Sequence, residues 1–547
     1  MSLYLGLDSS TQSLTAIVLE VDRAGTRIVY EHSFAFDEAL PEYGTRHGVL
    51  AADRGGHTDG GAGVAVSSPL LWADALDLML ATIAASGIDL SRLAAIAGSA
   101  QQHGSVYLNA TAASVLGHLD PGRVPSAQLA GCLSRPVSPI WMDASTSREC
   151  EEITAAVGGP LLLAGHTGSR AFERFTGPQI RKFFTHQPDA YAATSRVHLV
   201  SSFLASLLVG RHAPMDPGDG SGTNLMDLAS CEWWQPAVGS TAPGLAAKLP
   251  PIARASTVVG TLSEYWQRRF GLPAANVVAW SGDNPCSLVG VGLVREGRLA
   301  ISLGTSDTVF GLMREPRVDR TGTGHVFGAP TGDYMGLTCF KNGSLAREQI
   351  RDEFGLSWST FSESLRRTPA GNGGRIMLPW FEPEITPTVL TPGVRRYGLD
   401  PGDADGNVRA VVEGQQMAMA LHSRWMQVTV DSIHATGGAA ANRDILQVMA
   451  DVFGAVVYQL PVGNSAALGA ALRAFHGSAT ADGAAIAWDD IVRGFVEPLA
   501  QGALSPDPVR RATYQELIDV YAACEAHALG HGPDPSTRLA EFASARD

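Results

Sequence analysis

A chain of 547 residues with 40 basic against 54 acidic side chains carries a formal charge of −14 at neutral pH, the wrong sign for gripping nucleic acid or an anionic membrane. Its 45% hydrophobic and 17% charged residues give material for more than one buried core and argue against a disordered tail. Lys182, Lys248 and Lys341 are the only lysines, and none closes a GxxxxGK[ST] loop, which removes the P-loop nucleotide enzymes.

The N-terminal stretch MSLYLGLDSSTQ has no basic n-region, and no apolar run is long enough to span a bilayer. Six cysteines are scattered without a CxxC pair, the pattern of reduced thiols in a soluble cytoplasmic protein.

In chain order, residues 3–7 predict a short strand, residues 8–13 a polar turn and residues 14–21 a second strand. A Gly-rich loop excursion over 42–68 precedes helical periodicity over 69–85. Residues 197–209 predict a buried helix, although period alone leaves a long apolar strand open. The run Val277-Val278-Ala279-Trp280 predicts a buried strand that stops at Ser281-Gly282-Asp283-Asn284-Pro285. Pro285 suits the first turn of a helix, so Asp283 and Asn284 fall at its N-terminus. A carboxylate there is expected to be held ionised by the macrodipole and able to take a proton from a hydroxyl, although capping is the commoner job for that position.

The opening pattern then returns. Residues 299–303 predict a strand, Gly304-Thr305-Ser306-Asp307 a hydroxyl-rich turn and residues 308–313 a strand again, which suggests a duplicated α/β unit with one phosphate-compatible turn in each copy. Residues 366–408, dense in Pro and Gly, predict a long irregular connection. A strand over 432–436, the Gly437-Gly438 turn and an amphipathic helix over 442–453 form another site where a flat base or a phosphate can approach the backbone. Small residues over 463–469 predict a closely packed helix start, and residues 510–529 predict a final helix. Polar residues gather at Gln101-Gln102-His103-Gly104-Ser105 and between Thr167 and Gly177, supplying the amide, imidazole and guanidinium groups that polyol recognition needs. Taken singly, His103 also fits a satisfied core histidine, and Arg170 and Arg174 also fit surface ion pairs.

Together, Gly6-Leu7-Asp8-Ser9-Ser10-Thr11-Gln12-Ser13, the QQHG segment, Trp141-Met142-Asp143, the ERFTG segment, Ser281-Gly282-Asp283-Asn284, Ser302-Leu303-Gly304-Thr305-Ser306-Asp307 and Thr436-Gly437-Gly438 resemble the FGGY family of carbohydrate kinases. Within it, TGSRAFERFTG, VSSF, Asp219-Gly-Ser-Gly-Thr-Asn224 and Cys339-Phe-Lys-Asn-Gly-Ser are similar to the longer eukaryotic members that act on D-xylulose. The resemblance implies an α/β, actin-like fold of two duplicated ribonuclease-H-like domains around a central ATP and sugar cleft. It divides the chain into 1–290 with the sugar site, 291–505 with the nucleotide site, and a helical segment 506–547. It implies Asp283 as the base acting on the 5-hydroxyl of D-xylulose, with His103, Arg174 and Asn284 holding the sugar. Asp8 would orient Mg²⁺, while Thr11, Gln12, Ser13, Gly304, Thr305 and Ser306 would meet phosphate. Trp358, Gly437, Gly438 and Asn442 would line the adenosine site. A kinase for ribulose, glycerol or another polyol, and a non-catalytic actin-fold protein, stay open as alternatives, as does monomer against homodimer. Asp143 is followed by Ala144-Ser145, so no sugar role passes to the nearest arginine, Arg148; the Gly-rich stretch 54–63 receives no role.

Overall fold

A computed structural model describes residues 1–22, 25–50, 62–460, 463–496 and 502–546. Two mixed sheets organise it, and they share one plan. In the first, strand Ser2–Ser9 pairs antiparallel with Ser13–Asp22, which pairs antiparallel with Gly25–Ala35; on its other side it runs parallel to Leu93–Ala100, which runs parallel to Asn276–Val278. In the second, Arg298–Leu303 takes the place of the opening strand. Asp307–Met313 and Tyr334–Phe340 follow antiparallel on one side, and Ser432–Thr436 and Val456–Gln459 follow parallel on the other. Each sheet gains a further antiparallel edge strand, Val258–Thr261 on the first and Gly324–Gly328 on the second. The two opening hairpins are therefore the same element used twice, as their shared pattern of apolar strand, small polar turn and apolar strand predicts.

Alternate residues of the first opening strand serve different cores. Leu3, Leu5 and Leu7 pack with Trp72 and Leu76 of helix Pro69–Ala84 and Phe203 of helix Val200–Val209. Tyr4, on the opposite face, packs with Ala467, Leu468, Ala471 and Leu472 of helix Ser465–Ala481. A helix late in the chain thus covers the first sheet. The approach is close: a Cβ on Gly6 would lie 2.2 Å from the Ala467 carbonyl oxygen.

Two local expectations change. Residues 197–199 belong to strand Thr194–Leu199, and the helix begins at Val200; both are buried, so period did not mark the joint. The irregular connection is interrupted by the paired strands Ile376–Leu378 and Arg395–Tyr397 and ends at helix Ala404–His422, whose start is capped by Asp403. Most of the Gly-rich stretch 54–63 lies outside the described residues; Gly63 accepts a backbone hydrogen bond from Ala144 at 2.8 Å. No helix among the described residues is long and apolar enough to cross a membrane.

Candidate active site

Asp8 and Asp283 meet where the parallel strands of the first sheet end, the usual place for a site in an open α/β sheet. Asp8 pairs in register with Ser99, and Ser281 pairs with Ser99 from the other side, which brings the Asp283 helix beside the opening strand. Asp283 is the first residue of helix Asp283–Gly290, behind the N-cap Gly282, so it does not cap the helix. Its Oδ1 accepts from the Asn284 backbone N–H at 2.8 Å and from the Asn284 side-chain amide at 3.0 Å. That amide also donates to Gln102 Oε1 at 2.8 Å.

The macrodipole does not keep Asp283 fully ionised near neutrality. Burial, and then the neighbouring charge of Asp8, push its pKa up to about 7, against the downward pull of the Asn284 hydrogen bonds. Burial likewise raises Asp8 to about 6, opposed by Ser99. Asp8 Oδ1 is buried with no hydrogen-bond partner. An unpartnered carboxylate oxygen beside a second carboxylate is poised for a cation or a proton.

His103 follows the strand Leu93–Ala100 in a left-handed conformation (φ 70°), and its Nδ1 bonds the Gly222 carbonyl at 2.7 Å. A carbonyl only accepts, so Nδ1 carries the proton and Nε2 is left as an acceptor. Burial, then the Arg174 charge, lower the imidazole pKa to about 3, keeping it neutral. Arg174 lies over the rings of Phe172 and Phe175, at 5.2 and 5.6 Å, and its Nη2 meets His325 Nε2 at 3.1 Å. It forms no surface pair with Glu173, whose carboxylate accepts from Ser147 instead. His103 thus lies within reach of the Arg174 charge, and Asn284 ties Asp283 to Gln102, the residue before His103.

A cavity of about 870 Å³ opens in the second half, lined among others by Gly304, Thr305, Trp358, Gly438 and Asn442. Gly437 lies behind it at φ 87°, where a Cβ would come within 2.6 Å of the Leu303 carbonyl oxygen; only glycine fits. Asn442 has two tasks: its Oδ1 caps helix Arg443–Phe453, and its amide donates to Ser362 Oγ at 2.8 Å. Trp358 opens helix Trp358–Arg367 with Arg351 over its ring at 4.6 Å. Ser306 is absent from the lining, as are Thr11, Gln12 and Ser13. Thr11 Oγ1 accepts from Trp141 Nε1 at 2.7 Å, and Ser13 Oγ bonds Ser10 Oγ at 2.9 Å. Asp143, next in sequence to the exposed Trp141-Met142, is buried and accepts from Ala65, Ser145 and Gln179, which is a structural task.

Sequence reasoning missed two residues. Arg347 lines the cavity and is fully buried, bonding Asp307 Oδ2 and Gln415 Oε1 at 2.9 and 2.8 Å, so it braces the turn that begins at Gly304. His325, on the edge strand of the second sheet, reaches the arginine of the first half. Neither stands in a telling local pattern; each is defined by its partner across the fold.

The model of the FGGY family of carbohydrate kinases, N-terminal domain, matches residues 135–290, and that of its C-terminal domain matches residues 299–478. The chain is 42% identical over 546 residues to a xylulose kinase of Rattus norvegicus, covering 97% of this chain and 98% of that protein. It is also 42% identical over 499 residues to xylulose kinase 2 of Arabidopsis thaliana, covering 87% of each. Among solved structures, a xylulose kinase from Rhodospirillum rubrum superposes with a TM-score of 0.77 at 20% identity over 97% of this chain and all of that one. A gluconate kinase from Lactobacillus acidophilus reaches 0.78 at 18% identity over 96% of this chain and 98% of that one. The structural likeness carries the actin-like fold.

Proposed function

Because the chain belongs to the FGGY family of carbohydrate kinases, we propose that it transfers the γ-phosphoryl group of ATP to the 5-hydroxyl of D-xylulose, with Asp283 as the general base. The observation that carries this reading is the Asp283 carboxylate itself, fixed by Asn284 and raised to about 7, the range in which a base both accepts a proton and is available at neutral pH. Asp283 takes the proton of the sugar hydroxyl, the alkoxide oxygen forms the new bond to the γ-phosphorus, and ADP leaves. The His103 Nε2 acceptor, the Asn284 amide and the Arg174 donors orient the other hydroxyls. Thr11, Gln12 and Ser13 in one turn and Gly304, Thr305 and Ser306 in the other offer hydroxyls and backbone N–H groups to phosphate oxygens. Trp358, Gly437, Gly438 and Asn442 form the adenosine end.

The partnerless Asp8 oxygen suits a hard cation, held directly or through water, with phosphate oxygens and water completing its coordination. Mg²⁺ arriving with ATP would neutralise charge on the phosphates. The working division is sugar and base on residues 1–290, nucleotide on 291–505 and a helical appendage over 506–547. We place the reaction in the cytoplasm, where the cysteines, free among the described residues, stay reduced.

The test is ADP release with Mg·ATP against D-xylulose, L-xylulose, D-ribulose and glycerol, with Asp283→Ala beside the wild type. Strong turnover of D-xylulose alone, abolished by the substitution, is expected. Preference for another sugar would overturn the pocket assignment, and turnover surviving in Asp283→Ala would overturn the base.

A further inference from the structure

Arg174, assigned above to the sugar, is met by a side chain from the second half. His325 is 1% exposed and lies on the edge strand Gly324–Gly328, which belongs to the sheet that carries the nucleotide turn. Its Nε2 is 3.1 Å from Arg174 Nη2 and its Nδ1 is 3.0 Å from Ser169 Oγ. A guanidinium has no lone pair to offer, so Nε2 must be the acceptor. The proton is then on Nδ1, donated to Ser169. One tautomer of a neutral imidazole satisfies both contacts; the other could still accept from the Ser169 hydroxyl but would have nothing to offer the guanidinium.

The ring has little freedom to leave. It packs edge-on against Phe172 at 4.9 Å and Phe175 at 5.7 Å, and stacks with Phe327 at 6.0 Å. The backbone that follows it is anchored to the first half as well. Val326 N–H donates to Gly168 O at 2.9 Å, and Gly328 N–H donates to Ser221 Oγ at 3.1 Å. Gly168 has no room for a side chain there, since its Cβ would lie 2.2 Å from the Val326 carbonyl oxygen. Arg174, by contrast, is a long side chain whose flanking contacts, two aromatic faces, do not fix the rotation of its guanidinium.

We propose that His325 is a positioning residue for substrate recognition: it fixes the Arg174 guanidinium through one accepted hydrogen bond, so that the fork's remaining donors meet the sugar hydroxyls without further ordering. The inference rests on the assignment of Arg174 to the sugar. It makes sugar affinity depend on the edge strand of the nucleotide-binding half, and it predicts an effect on sugar rather than on ATP.

The experiment compares His325→Phe, His325→Gln and Arg174→Ala, and the double variant Arg174→Ala/His325→Phe, with the wild type. Sugar affinity is read as KM and, without ATP, as Kd by calorimetry, on the panel sugar the wild type binds best; KM for ATP is read alongside. Phenylalanine keeps the ring and loses the acceptor, and the expected result is a roughly 10- to 100-fold weaker sugar affinity, the span of one charge-assisted hydrogen bond, with kcat falling less and KM for ATP unchanged. Glutamine, which can present a carbonyl to the guanidinium, should recover most of the loss even if the phenylalanine variant folds poorly. In the Arg174→Ala background His325→Phe should add nothing. Equal losses in both backgrounds, or parallel losses for ATP, would mean a merely structural histidine and overturn the proposal. If Arg174→Ala weakens sugar binding and His325→Phe does not, the proposal alone fails; if Arg174→Ala has no effect, the assignment of Arg174 fails and the proposal with it.

Discussion

Gly469→Ala places one methyl group where two helices touch backbone to backbone. Gly469 lies inside helix Ser465–Ala481, and a Cβ there would stand 1.9 Å from the Cys286 carbonyl oxygen and 2.7 Å from its carbon. The reciprocal contact is just as close: a Cβ on Gly290 would be 1.9 Å from Ser465 O. Ordinary contact begins near 3.4 Å, so the helices must separate by about 1.5 Å, and no side chain can rotate away to relieve it. Alanine in a helix interior is otherwise favoured over glycine by ~1 kcal/mol. Overpacking against backbone costs about 3 kcal/mol, so a net loss of ~2 kcal/mol is expected. The functional effect should exceed the stability effect. Cys286 and Gly290 belong to the helix that begins with Asp283, and moving a reacting group by about 1 Å costs ~100-fold in rate. The assay is steady-state sugar phosphorylation with a thermal melt of the same sample. Gly165→Ala, in helix Pro160–Thr167 with no atom within 4 Å of its Cβ, serves as the control and should be neutral or slightly stabilising. A Gly469→Ala protein with unchanged kcat and an equal or higher melting temperature would refute the reasoning.

Asp283→Asn should remove activity yet raise the melting temperature at pH 8 in EDTA without nucleotide. The folded pKa of about 7 lies above the unfolded 3.8, so the folded state holds the extra proton between those values and stability falls as pH rises through that window; the gain from the amide should therefore shrink by pH 5, and a gain that grew towards pH 5 would contradict the sign. Gly437→Ala combines φ 87° with a 2.6 Å approach to Leu303 O, and a cost of about 2 kcal/mol or more should appear as weaker ATP binding by calorimetry with sugar affinity unchanged. Asp143→Ala strands the donors of Ala65, Ser145 and Gln179 and should lower the melting temperature at a cost of about 3 kcal/mol while leaving KM for ATP in place.

The hairpins were legible because strand, small polar turn and strand are a local pattern, and its recurrence at 299–313 announced the duplication that the two sheets display. Asp283 was legible for a similar reason: a buried run that stops at Gly-Asp-Asn-Pro places a carboxylate at a helix start. Its protonation behaviour was not legible. Sequence supplies the helix terminus, but desolvation and the charge of Asp8 come from strands that assemble only in the fold, and there they outweigh the local hydrogen bonds.

Local chemistry thus determined the elements, the hydroxyl-rich turns, the glycine at 437 and the family to which the motifs belong. Tertiary structure alone decided that helix Ser465–Ala481 covers the first sheet, that Arg347 braces the turn from Gly304, and that His325 meets Arg174 from the other half. The physical reason is range: turn propensity, capping and periodicity act over a few residues, whereas burial, charge coupling and hydrogen bonds between residues 151 positions apart exist only once the sheets have met.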